Sequence, residues 1–211
     1  MANQIPEVVV SRLPLYTRAL ALLESEGREV VSSQELGARL HVTPAQIRKD
    51  LSYFGKFGKQ GRGYSVRRLL AELRQILGLH RQWTMALVGV GRLGQAIASY
   101  DGFAPQGFRV VAAFDSNPAL IGKRVGEVIV GNMEELAPTI RRLGIEIGIV
   151  AVPAAEAQAV IDALVECGVR GILNYAAVTA RVPPPVRLQA IDPVVALQSM
   201  TFFLKDRSLT L

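Results

Sequence analysis

Apolar positions recur at helical spacing near the start of the chain. After Ser11, the residues Leu13, Tyr16, Leu20 and Leu23 predict a helix to about Glu26, with Pro14 in its first turn and Gly27 as its stop. Ser32-Ser33-Gln34-Glu35 has the form of a capping box, Ser32 at N-cap and Glu35 at N3, and opens a short helix to Leu40. After a turn at His41-Val42, Thr43-Pro44-Ala45-Gln46 is a second box with proline at N1, and it starts a third helix running to about Phe54. Two short capped helices behind a longer one predict a helix-turn-helix. From Gly55 to Val66, four glycines and three cations between apolar-flanked segments predict a β-hairpin with a basic tip, a wing. Arg67 to Leu77 then predicts an amphipathic helix with Leu69, Leu70, Leu73, Ile76 and Leu77 on one stripe, and residues 78–82 form a linker.

From Trp83 the pattern changes to short apolar runs alternating with helical segments. Strands are predicted at 84–89, 108–115, 127–130, 145–152, 171–175 and 187–191, and helices near 92–101, 132–143, 154–167 and 193–205. That alternation predicts an α/β fold, a doubly wound and mostly parallel sheet of the Rossmann kind. The first strand-to-helix junction reads Gly89-Val90-Gly91-Arg92-Leu93-Gly94, and Asp115 ends the next strand, 21 residues past Gly94. In this context the glycines have separate tasks. Gly89 permits a tight turn, Gly91 lets the backbone approach a pyrophosphate, and Gly94 lets the helix pack closely on the strand. An acid at position 115 binds a ribose 2′-hydroxyl and repels a 2′-phosphate, which favours NAD(H) over NADP(H).

Charge adds a location to this picture. The 211-residue chain has a formal net charge of +6, is half apolar and is one-fifth charged, a composition that excludes disorder. Residues 1–83 hold 13 Lys and Arg against 7 Asp and Glu, whereas 84–211 hold 11 of each, so the whole excess lies in the first part. Within it, Arg39 to Arg68 carries eight cations against Asp50 alone. Such a one-signed stretch suits a polyanion. On the third helix the exposed face carries Gln46, Arg48, Lys49 and Ser52, types that pair with adenine, guanine and phosphate in a major groove, while Ile47, Leu51 and Phe54 face the core. Lys56, Lys59 and Arg62 of the wing suit a sugar-phosphate backbone.

Other classes fall away. One cysteine, Cys167, excludes an internal disulfide and reads as a core residue; with only His41 and His80 beside it, no zinc cluster of usual spacing exists. The N-terminus lacks the pattern of a signal peptide, and Ile145 to Leu164 is interrupted by Glu146, Pro153, Glu156 and Asp162, so a cytoplasmic protein with no membrane span is expected. The sheet occupies most of 84–192 and both histidines lie outside it, which leaves little room for a substrate and argues against an enzyme. A CoA-binding domain shares the glycine turn, so the alternative is an NAD- or CoA-using enzyme with a fused basic domain.

The run Arg48-Lys49-Asp50-Leu51-Ser52-Tyr53-Phe54-Gly55-Lys56-Phe57-Gly58, followed by Gly61-Arg62-Gly63-Tyr64, resembles the Rex family of redox-sensing transcriptional repressors. The likeness continues through Gly89 to Gly94, Phe114-Asp115, Ala151-Val152-Pro153 and Gly171 to Tyr175. It implies a winged-helix domain over 1–80, a Rossmann domain over 81–192 and an exchanged dimerisation helix within 193–211. It also implies a homodimer on a palindromic double-stranded DNA operator, released by NADH. Tyr53 would join the DNA-contacting residues, and Val152 and Pro153 those at the cofactor. Arg18, Tyr100 and Asp192 would form a switch in which Asp192 of one subunit pairs with Arg18 in the DNA-competent state and with Tyr100 when NADH is bound. This chain has Pro193 where family members often carry a phenylalanine beside the nicotinamide.

Overall fold

A computed structural model describes residues 5–58 and 62–205. The chain divides into two compact units, Met1–Arg81 and Gln82–Leu211.

The first unit is built on α1 (Glu7–Ser25), α2 (Ser33–Leu40), α3 (Pro44–Ser52) and α4 (Val66–Ile76). Both expected N-caps are formed: Ser32 accepts from the Glu35 N–H at 3.0 Å and Thr43 from the Gln46 N–H at 3.2 Å. The Glu35 carboxylate pairs with Arg28 at 2.8 Å. His41 ends α2 in the left-handed conformation, φ 54°, and turns the chain into α3. The first helix differs from expectation. It starts at Glu7, because Val9 extends the buried row of Leu13, Tyr16, Leu20 and Leu23 by one turn, so Pro14 lies inside the helix and not in its first turn. The ring is on the exposed face, where the carbonyl that proline leaves without a donor is open to solvent and not shut in the core. Helix α3 ends at Ser52, short of Phe54, since Tyr53 and Phe54 bond back three residues to Asp50 and Leu51.

The wing also departs from a simple hairpin. Strand β2 (Tyr64–Ser65) pairs antiparallel with β1 (Val30–Val31), the segment before α2, not with residues 55–58. Those residues still lie against it: a Cβ at Gly58 would come within 2.9 Å of the Gly63 carbonyl oxygen. Ser65 caps α4, whose buried side is Val66, Leu69, Leu70 and Leu73. Ile76 is exposed, one position off that stripe.

The second unit is a seven-stranded sheet in the order β5-β6-β4-β3-β7-β8-β9, with β3 (Trp83–Val88), β4 (Phe108–Asp115), β6 (Val128–Asn132), β7 (Ile147–Val150), β8 (Gly171–Asn174) and β9 (Arg187–Ala190) parallel. The short β5 (Arg124–Val125) was not expected; it folds back antiparallel on β6 across Gly126-Glu127. Helices α5 (Arg92–Ala98), α6 (Leu136–Leu143) and α7 (Ala154–Glu166) are the crossovers, and α8 (Pro193–Lys205) follows β9. Alanines, valines and isoleucines fill a core on each face of the sheet. Cys167 is half-buried at the edge of one core, and burial pushes its thiol pKa up, as expected of a packing residue. The chain passes from β3 outward to β4 and β6, then returns to the other side of β3 as β7. That reversal is the topological switch point where sheets of this kind bind ligands.

Candidate functional site

The first unit concentrates its basic and polar side chains around one cleft of about 770 Å³, lined by Ser33, Arg48, Ser52, Lys56 and Tyr64 among others. Arg48, Lys49, Ser52, Lys56 and Arg62 are exposed, and Tyr53 is half-buried. Lys59 lies outside the described residues. Arg48 donates to the Ser33 hydroxyl at 2.9 Å, which braces α3 against the start of α2, and Ser52 donates to the Lys49 carbonyl at 2.7 Å.

Gln46 does not stand on the exposed face as expected. It is half-buried, and its amide donates to Asp50 Oδ1 at 2.6 Å, because the i,i+4 spacing stacks it over that residue. Asp50, read in the sequence as a lone acid among cations, is wholly buried. It takes Arg12 Nε and Nη2 at 2.6 and 2.8 Å and the Tyr16 hydroxyl at 2.6 Å. A signal for it existed: Asp50 falls three residues after Ile47 and beside Leu51, on the apolar face.

In the second unit, Val88 and Val150 end their strands in register with Phe114, one residue before the end of β4, so the loops after them meet at one edge. Gly89 has φ +92°, and a Cβ there would stand 2.5 Å from the Ala151 carbonyl oxygen and 2.8 Å from the Val152 side chain. A Cβ at Gly94 would overlap the Gly89 carbonyl oxygen, which is how closely α5 packs on β3. Gly91 is different: nothing lies within 4 Å of where its Cβ would be. The protein's own packing makes no demand for glycine there, whereas a phosphate approaching the backbone would. The residues therefore fit a dinucleotide pyrophosphate, which the stretch from Gly89 to Gly94 could hold.

Asp115 has a structural task as well. Its Oδ2 accepts from the Val90 N–H at 2.6 Å and its Oδ1 from the Asn117 N–H at 2.8 Å, tying the β4 end to the glycine loop. Gln95, which the motif does not include, donates to the Val90 carbonyl at 3.1 Å. Val90 itself points into the core, so its place in the site is that of its backbone, while Arg92, Leu93 and Pro153 are exposed at the mouth. Tyr100 is exposed, stacks edge-on against Phe103 with ring centres 5.0 Å apart, and lines a second cleft of about 600 Å³ with Arg109 and Glu127. Asp192 Oδ1 accepts from the Val194 N–H at 2.8 Å at the start of α8. Arg18 is an exposed residue of α1, in the other unit. Among the described residues no group of three or more His, Cys, Asp and Glu could hold a metal, and no helix is long and apolar enough to cross a membrane.

Two family models match in tandem: a putative DNA-binding protein N-terminus over residues 4–52 and a CoA binding domain over residues 80–178. The redox-sensing transcriptional repressor Rex of Chloroflexus aggregans is 53% identical over 203 residues, 96% of each chain. That of Roseiflexus sp. is 56% identical over 94% of this chain and 90% of its own. Among solved structures, RSP in complex with β-NAD+ and operator DNA matches with a TM-score of 0.92 at 38% identity, covering 97% of this chain and 94% of that one. RSP in complex with β-NADH matches with a TM-score of 0.88 at 35% identity, covering 98% and 97%. With a basic helix-turn-helix unit and a glycine-loop sheet in one chain, and relatives more than half identical over almost its whole length, this chain belongs to the family of redox-sensing transcriptional repressors named Rex.

Proposed function

We propose that this chain is a repressor that binds a palindromic DNA operator as a homodimer and leaves it when NADH occupies the glycine loop. The single observation that carries the reading is Gly91, open to the outside at the switch point of a neutral sheet unit, in the same chain as a helix-turn-helix unit that holds the whole excess of positive charge. The RSP relative has been solved both with NAD+ and operator DNA and with NADH.

In this reading α3 enters the major groove with Arg48, Lys49 and Ser52, and the wing follows the backbone with Lys56, Lys59 and Arg62. A two-fold dimer sets its half-sites roughly 10 bp apart or a multiple of that. The apolar residues of α8, among them Val194, Leu197, Phe202 and Leu204, are more than half exposed and suit exchange into a second subunit. Asp192, next to that helix, would then exchange partners between Arg18 and Tyr100. Coupling requires only that NADH bind the released arrangement more tightly than the DNA-competent one; a hundredfold preference corresponds to about 2.7 kcal/mol.

The decisive experiment is a gel-shift titration of operator DNA. NADH is expected to release it at concentrations where NAD+ does not; identical behaviour of the two nucleotides refutes the sensor and favours an NAD- or CoA-using enzyme with a fused basic domain. Two site predictions accompany it. Arg62→Ala should weaken binding to every sequence alike and flatten the salt dependence by about one unit of slope. A loss confined to one base position would move Arg62 into the groove. Asp115→Ala should weaken NADH both by losing the ribose partner and by freeing the Val90 N–H that braces the loop, readable by calorimetric titration; unchanged affinity would place the ribose elsewhere.

A further inference from the structure

The cluster under α3 fixes more than the packing of two helices. Asp50 is wholly buried and its two oxygens accept four hydrogen bonds, Oδ2 from Arg12 Nε and the Tyr16 hydroxyl, Oδ1 from Arg12 Nη2 and Gln46 Nε2. A carboxylate accepts and does not donate, so the Gln46 amide can meet it only through its nitrogen. The orientation of that amide is thereby set by chemistry: Nε2 is turned to Asp50, and Oε1 and the second N–H are left over. Those two groups are the pair with which a side-chain amide reads adenine, the oxygen accepting from N6 and the N–H donating to N7. Gln46 is only half-buried, and its helix neighbours Ala45 and Lys49 are exposed, so these two groups lie close to solvent.

We propose that Asp50 is a positioning residue that holds Gln46 as a fixed acceptor–donor pair for one A·T base pair, and so sets a base preference without touching DNA. Its anchors, Arg12 and Tyr16, come from α1, so the reading amide is aligned by a helix that lies outside the reading motif. An unanchored glutamine turns its amide freely and offers oxygen or nitrogen to either kind of base edge. The inference rests on the reading of α3 as the DNA-reading helix.

The test uses the full chain and an operator duplex, together with duplexes that each carry one A·T to G·C change. Gln46→Met should erase a discrimination of about tenfold at one A·T position. Asp50→Asn should erase it at the same position, since an amide at 50 has one acceptor oxygen where four donors converge, and the double variant should be no worse there than either single one. Tyr16→Phe removes one donor from Oδ2, leaves the bond to Gln46, and should keep the preference. The proposal is overturned if Asp50→Asn weakens all duplexes alike, if it leaves the Gln46-dependent position discriminated, or if Gln46→Met alters no position. Should Asp50→Asn fail to fold, the unmodified protein bound to operator decides by nitrogen-15 NMR. A slowly exchanging, down-field Gln46 amide proton supports the anchor, and two protons exchanging as in a free glutamine overturn it. Loss of operator affinity in Arg48→Ala and Lys49→Ala separates the two levels: if neither changes affinity, α3 is not the reader and both readings fall.

Discussion

Arg12→Ala is expected to destabilise the first unit by about 3–5 kcal/mol, the usual result of leaving a buried charge without its counter-ion. The Asp50 carboxylate, with no exposure to water, would keep only the neutral donors of Tyr16 and Gln46. For a unit of this size that lowers the unfolding transition by at least about 10 °C, measurable by thermal melting followed by circular dichroism. A loss under about 1 kcal/mol, the range of exposed pairs, would mean that the pair is worth no more than a surface contact. Acid provides a second reading. Burial opposes the charge on Asp50, but the hydrogen bonds from Arg12, Tyr16 and Gln46 outweigh it and hold the carboxyl below its usual range. A carboxyl depressed in the folded state stabilises above its unfolded pKa of about 4 and loses that contribution as pH falls toward the folded value. The unmodified protein should therefore lose stability below about pH 4, and Arg12→Ala should lose less there, because most of the linkage is already gone.

Gly94→Val is expected to reduce NADH affinity by at least about a hundredfold, about 2.7 kcal/mol. A side chain at 94 collides with the Gly89 carbonyl oxygen, so α5 must rise from β3 and carry the glycine loop with it. Gly91→Ala supplies the contrast. Its methyl meets nothing of the protein within 4 Å, so the melting temperature should be unchanged while NADH affinity falls, because the methyl occupies the approach of the phosphate. Fluorescence titration of NADH alongside thermal melting separates the two cases. If Gly91→Ala binds NADH as the unmodified protein does, the loop is not the pyrophosphate site. Both variants should still bind operator DNA, since their effects belong to the second unit, but should no longer release it with NADH.

What could be read from the chain alone was whatever a few neighbouring residues decide among themselves. The caps at Ser32 and Thr43 bond three residues away, the turn at His41-Val42 follows a short helix, and the glycine motif is six consecutive residues running from a strand end into a helix. Each is a local bargain between side chain and backbone, and each left its pattern in the order of residue types. The location of the charge was likewise a property of composition along the chain, and it divided the chain near the place where the two compact units meet.

Tertiary structure alone decided the partners that lie far apart in sequence. Arg12 reaches Asp50 across 38 residues, and although its place on the apolar face of α3 marks Asp50 as inward, no local pattern names a counter-ion on another helix. Gln46 turned its amide toward that buried carboxylate, against the expectation from its polarity. Val90 meets Asp115 across 25 residues, so an acid assigned to a ribose also proved to brace the loop. Strand Tyr64–Ser65 chose Val30–Val31 as its neighbour, and Pro14 became interior to α1 because Val9 found a place in the core one turn earlier. Helix caps and glycine turns are set by short-range sterics and hydrogen bonds, which the sequence carries position by position. Buried charges, strand neighbours and the direction of a half-buried amide are set by which distant groups exclude water together, and that is known only when the chain has closed on itself.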